Sequence, residues 1–165
     1  KQQLSEFAMN DKYINNQAAL KNYKFGFGNV ENYGCGAIAI YNVLVSMGET
    51  PDLAEIIRYM DTWGENFFGL SGSNPYMIKH YLVKHGYNVN IYYNQIDSRV
   101  ANADTSIIVY LNNSGALNGH FFNAEKSGDN LNVYNNNDVI GESLESYLQQ
   151  KGAFFKMVIC INKVE

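Results

Sequence analysis

Between Cys35 and Met47 the chain reads CGAIAIYNVLVSM, with no charge anywhere in it. A helix that is apolar on nearly every side has to be buried nearly all round. Any fold for this sequence must therefore pack several elements about this one segment. Gly48 supplies a stop. At the entrance stands a thiol between Gly34 and Gly36, a setting that a mere space-filler does not require.

The 165 residues are enough for one domain with a substantial core, and 46% hydrophobic with 14% aromatic residues supply the burial. The formal charge is -4, with no block of Lys or Arg. This sets aside proteins that track nucleic-acid phosphates, which carry clustered basic residues. No apolar run reaches the roughly 18 residues of a spanning helix, and no signal-peptide pattern opens the chain. A start at Lys1 reads as a processed form or an excised domain; the chain reads as soluble, its compartment is unknown, and secretion or delivery as a domain of a larger protein stays open.

The periodicities predict helices first and strands second. Leu4–Tyr23 reads as a weakly amphipathic helical stretch interrupted at Asn15–Asn16. Asp52 can cap a helix over Leu53 to about Trp63, and Pro75 can open another to Lys84, with Gly86 as its stop. After Gly86 the period changes to two, with Val89 and Ile91 on one side. The β-branched run 105–111 reads as a sheet-centre strand. The runs HFFNAEK and NLNVYNN, joined by Ser127–Gly128–Asp129, read as a hairpin. A helix is expected over Glu142–Gln150, stopped by Gly152, and a last strand over AFFKMVICIN. This order predicts an α+β fold with an antiparallel sheet.

Cys35 has the makings of a nucleophile. An ordinary thiol has a pKa near ~8.5, so little of it is thiolate at neutral pH. A helix amino terminus and a nearby imidazolium both favour the thiolate. The flanking glycines admit a substrate carbonyl, and the Cys35 N–H is a natural oxyanion donor. The competing reading is a small buried residue that begins a core helix. Cys160, between Ile159 and Ile161, reads as apolar packing, and the two cysteines do not read as a disulfide framework.

Of three histidines, His80 and His85 sit among polar neighbours on a helix and read as solvated surface. His120 opens an aromatic strand after Asn118–Gly119, where a loop can aim it into a cleft. A catalytic imidazole keeps one tautomer by donating its other N–H to an oxygen. Asn135, fifteen residues later, stands at the end of the neighbouring strand of the hairpin and can provide that oxygen. The triplet Asn135–Asn137 leaves open which asparagine acts, and Asp138 could serve instead. A turn-forming asparagine run is the alternative. The histidines and cysteines show no zinc spacing, so no metal or other cofactor is expected. The GFGN stretch lacks the lysine and preceding strand of a phosphate loop.

With NYGCGAIAIYNVL, then GHFF, then VYNNN one strand later, the chain resembles the papain-like cysteine peptidases of the bacteriocin-leader-processing type. The resemblance runs from Gly28 to Ile161. It implies a papain-like fold, with a central buried helix carrying Cys packed on an antiparallel sheet carrying His and Asn. Residues 1–27 would be a helical extension packed on the same domain, and 28–165 the peptidase-like domain. It implies Cys35 as nucleophile, His120 as general base and acid, and Asn135 as the orienting residue. Where the family places a glutamine that donates a second oxyanion hydrogen bond, this chain has Asn29, one methylene shorter. Where Asp–Pro is usual, it has Asn135–Asn136.

The implied activity is amide hydrolysis of a peptide or protein substrate through a thioester. Papain-like folds also serve as glutamine deamidases, transglutaminases and acyltransferases in bacterial effectors and toxin domains. For such a domain the expected partner is an immunity or inhibitor protein that covers Cys35. A catalytically silent, peptide-binding member of the fold is the rival of a different class. The loops GENFFGLSGSNP and NNSGALNG would wall the cleft, with Trp63, Phe67 and Phe68 either in an apolar subsite or in the core.

Overall fold

A computed structural model describes residues 13–15, 24–25, 28–29, 34–63, 74–113, 117–136, 138, 140–141 and 143–165. Helix α1 spans Cys35–Ser46, and every residue from Gly36 through Leu44 is buried. It ends where its sequence says it should. Gly48 takes φ +87°, its N–H bonds the Val45 carbonyl, and the Glu49 N–H reaches back to the Leu44 carbonyl at 2.9 Å. Helix α2, Leu53–Trp63, starts at Asp52, whose carboxylate accepts from the Ala54 N–H at 2.9 Å. Helix α3, Pro75–Lys84, is capped by the Asn74 side chain, which accepts from the Tyr76 N–H at 2.9 Å, and Gly86 follows it at φ +92°.

A short antiparallel ladder of β1 (Lys24–Phe25) and β2 (Gly28–Asn29) joins residues on either side of the expected division at residue 27. The main sheet contains β3 (Asn88–Tyr92), β4 (Thr105–Asn113), β5 (Leu117–Ser127), β6 (Asn130–Tyr134) and β7 (Ala153–Asn162). Its order is β3-β7-β4-β5-β6 and every neighbouring pair is antiparallel. The β-branched run is therefore the central strand, β4. The β5–β6 hairpin closes with Ser127 opposite Asn130, and Gly128 takes φ +61° in the turn.

Two helices stand elsewhere than the periodicities suggest. Helix α4, Ile96–Ala101, has no counterpart in the sequence reading. Its apolar signal is the single pair Ile96 and Val100, and it is entered through Gln95 in the left-handed region, whose own side chain makes no capping hydrogen bond. Helix α5, Leu144–Gln150, begins two residues later than expected, because Ser143 is its cap: Oγ accepts from the Ser146 N–H at 3.2 Å. The two helices cap each other. The Asp97 carboxylate accepts from the Leu144 and Glu145 N–H groups at 2.6 and 3.1 Å, and Glu145 Oε1 accepts from the Ile96 N–H at 3.2 Å.

The sheet is covered on both faces. Helices α1, α2 and α3 pack with Val89, Ile107, Val109, Phe121, Met157, Ile159 and Ile161. Helices α4 and α5 pack against the other face with Ile108, Tyr110, Phe122, Ala124, Val158 and Cys160. The first layer carries a buried amide network. Asn42 of α1 donates to Asn123 Oδ1 at 3.1 Å, and Asn123 donates to the Ala39 carbonyl at 2.9 Å. Asn42 also takes both main-chain groups of Ile14, accepting at 2.8 Å and donating at 3.0 Å.

That grip corrects part of the reading of Leu4–Tyr23. Residues 13–15 form no helix. The Ile14 amide and carbonyl bond to a side chain from the core, and the Ile14 side chain is itself buried in that core. The rest of that stretch lies outside the described residues, as do residues 64–73 and 114–116, with Phe67 and Phe68 among them. No helix among the described residues is long and apolar enough to cross a membrane.

Candidate active site

Cys35 is the first residue of α1, half-buried, and it packs against the core of the first layer. Gly34 before it has no side chain with which to cap the helix. Neither cysteine is in a disulfide. Cys160 is buried on β7 on the other face of the sheet, where its Sγ lies 3.7 Å from the Arg99 carbonyl and burial pushes its pKa up.

His120 lies on β5, directly across from Tyr110 of β4. Strand alternation decides where its ring goes. Phe121 and Asn123 face α1, so His120, Phe122 and Ala124 face α4 and α5. The His120 ring stacks near Phe122, with centroids 6.0 Å apart, and meets Tyr110 edge-on at 6.3 Å. Burial lowers its pKa, opposed by its bond to Asn135 and by the charge of Asp138, while the Lys151 charge lowers it further.

The structure brings His120 and Asn135 together: Nε2 lies 2.7 Å from the main-chain oxygen of Asn135. The accepting atom is the carbonyl, where the sequence had pointed to the side-chain amide. Asn135 follows β6 directly, is buried, and takes φ +60°. Asparagine tolerates that left-handed conformation better than most residues. Because a carbonyl can only accept, Nε2 carries the hydrogen of the neutral ring, and Nδ1 keeps the lone pair.

Around this pair is a polar cluster that the sequence reading did not assemble. Tyr147 of α5 donates to Asp138 Oδ2 at 2.9 Å and accepts from Asn136 Nδ2 at 3.2 Å. Lys151, the residue after α5, forms an ion pair with Asp138. Lys151 and Tyr147 hold the Asp138 carboxyl below the usual carboxylate range. Tyr110, whose ring meets Tyr147 edge-on at 6.5 Å, has its pKa raised by burial first of all, and least by the charge of Cys35. One signal for this cluster was present in the sequence: Lys151 stands four residues after Tyr147, just past the end of the expected helix.

Asn29 lies in β2 opposite Lys24, and only its backbone is described. His80 and His85 are exposed, and the His85 ring stacks on Tyr81 at 4.5 Å. Among the described residues no group of three or more His, Cys, Asp or Glu could hold a metal ion. No family model matches the sequence, and no curated protein matches it.

Proposed function

We propose that this chain is a thiol-dependent amide hydrolase of papain-like design, acting on a peptide or protein through a thioester. The observation that carries the reading is the 2.7 Å bond from His120 Nε2 to the Asn135 carbonyl. It holds the imidazole in the tautomer whose Nδ1 can accept a proton. Burial keeps the ring neutral at neutral pH, which suits a general base. Cys35, at the open end of α1, is the nucleophile. In this scheme Nδ1 takes the thiol proton, the sulfur attacks the amide carbon, and the Cys35 N–H steadies the oxyanion. The imidazolium then protonates the leaving amine, and water activated by His120 releases the acyl group. Asn29 is assigned a second oxyanion bond on the resemblance alone.

A second reading, a silent peptide-binding protein of the same shape, draws support from one observation. The His120 ring lies with Phe122 on the face of the sheet opposite α1. Alkylation at pH 6 with low iodoacetamide separates the two. Labelling of Cys35 faster than Cys160, and slowed about tenfold in a folded His120→Ala variant, is expected of an activated thiol. Equal, slow labelling would favour the binder. Turnover then sorts the chemistry. Chain cleavage marks a peptidase, ammonia release without cleavage marks a deamidase, and amine incorporation marks a transferase. All turnover should disappear in a folded Cys35→Ala variant, and turnover that persists there overturns the assignment.

A further inference from the structure

The carbonyl that orients His120 belongs to a chain segment that is not part of any strand. Asn135 leaves β6 in the left-handed region, and Asn136 and Asp138 follow in irregular structure. Something has to hold this segment if the carbonyl is to keep its aim. Its described side-chain anchors converge on α5. Tyr147 Oη bonds both the Asn136 amide and the Asp138 carboxylate, and Lys151 pairs with that same carboxylate. The Tyr147 ring in turn is wedged edge-on against Phe122 at 6.1 Å and against Tyr110 at 6.5 Å, both of them aromatic neighbours of the imidazole.

We infer that Tyr147 and Lys151, acting through Asn136 and Asp138, are positioning residues that hold the Asn135 carbonyl against His120 and so set the tautomer of the base. The inference deepens the reading of Cys35, His120 and Asn135 as one site and rests on it for its catalytic meaning, though not for its geometry. Neither residue touches the imidazole nitrogens; both act on the segment that does. Tyr147 supplies direction, through two short-range hydrogen bonds to neighbouring residues. Lys151 supplies charge balance, because Asp138 on its own would draw a proton toward the ring.

Two carboxylate-linked effects of opposite sign follow. Removing Lys151 takes away a nearby positive charge and leaves Asp138 unpaired by it, so His120 should titrate at higher pH. Removing the Asp138 charge should move it to lower pH. Among the described residues, the other titratable groups on this side of the sheet near the ring are Tyr110 on β4 and Tyr147 on α5, with Lys156 on β7 in register with Tyr110. All three are unchanged in these two variants.

The test is histidine NMR on the full chain with His80 and His85 replaced by glutamine, which leaves one imidazole to observe. The starting protein should show the Nε2–H tautomer. Tyr147→Phe, which keeps the ring and deletes the hydroxyl, should show a mixture of both tautomers. Lys151→Met and Asp138→Asn should shift the titration upward and downward respectively, and Lys151→Arg should restore the original curve. A general loosening would move both variants the same way. An unchanged tautomer in folded Tyr147→Phe, or shifts of the same sign in the other pair, overturns the inference. Iodoacetamide labelling of Cys35 in the same samples keeps the two claims apart. If the imidazole responds as stated while Cys35 labels no faster than Cys160, the positioning role stands and the catalytic reading falls. If Cys35 is selectively reactive while the imidazole ignores all the substitutions, the reverse holds.

Discussion

The Nε2 of His120 is held 2.7 Å from the main-chain oxygen of Asn135, across the β5–β6 hairpin. The residue that orients the ring does so with an atom every residue possesses. As an asparagine, Asn135 also tolerates φ +60°.

Asn135→Gly should therefore keep the Nε2–H tautomer of His120, since glycine adopts this backbone conformation freely. Asn135→Ala should lose about 1 kcal/mol of stability to left-handed strain, beyond any packing loss shared with the glycine variant. Urea denaturation of both variants, with histidine NMR, checks this. Loss of the tautomer in the glycine variant would mean that the side chain is the orienting group.

Stability should fall on mild acidification. Burial lowers the His120 pKa, so the unfolded chain takes up this proton more readily than the folded one. The stabilisation is complete above the ordinary imidazole pKa, near ~6.5, and declines as pH drops through that value toward the folded one. His120→Gln should flatten this part of the curve. Asp138 acts in a separate, more acidic window, because its pKa is lowered from the carboxylate range by Lys151. Unfolding free energies from pH 8 to 4 in both proteins test the assignment.

Asn42→Leu should be severely destabilising, by about 3 kcal/mol, because it orphans the Ile14 N–H and carbonyl and one bond of Asn123 in a buried layer. The loss should extend to the aromatic stack of Tyr13 on Tyr134, whose centroids are 3.8 Å apart. Denaturation and the near-ultraviolet dichroism of the tyrosines would show it. A variant as stable as the parent would remove Asn42 from its role as clamp.

Asp97→Ala should cost about 1–2 kcal/mol, as for the loss of a helix cap. One carboxylate serves two N–H groups of α5 and the Ser143 hydroxyl at 3.1 Å. Because α5 carries Tyr147 and precedes Lys151, hydrogen exchange should rise in α5 together with the segment around Asn135. Exchange confined to α4 would contradict that coupling.

Local chemistry carries most of the element positions, and these were legible letter by letter. The apolar run after Cys35 demanded a buried helix, and Asp52, Pro75, Gly48, Gly86 and Gly152 mark boundaries by their own backbone preferences. The glycine turn made the β5–β6 hairpin visible, and with it the approach of Asn135 to His120. Helix α4 escaped because one pair of apolar residues is too short a pattern to have a period.

What the order of residues could not decide is which way His120 faces and which atom holds it. Phe121 and Phe122 are both buried, because helices cover the sheet on both sides, so the alternation that normally tells inside from outside is silent there. A backbone carbonyl has no letter of its own. The meeting of Tyr147, Lys151, Asp138 and Asn136 depends on α5 returning across the sheet, and Coulomb and hydrogen-bond energies act over distances that only the folded chain creates.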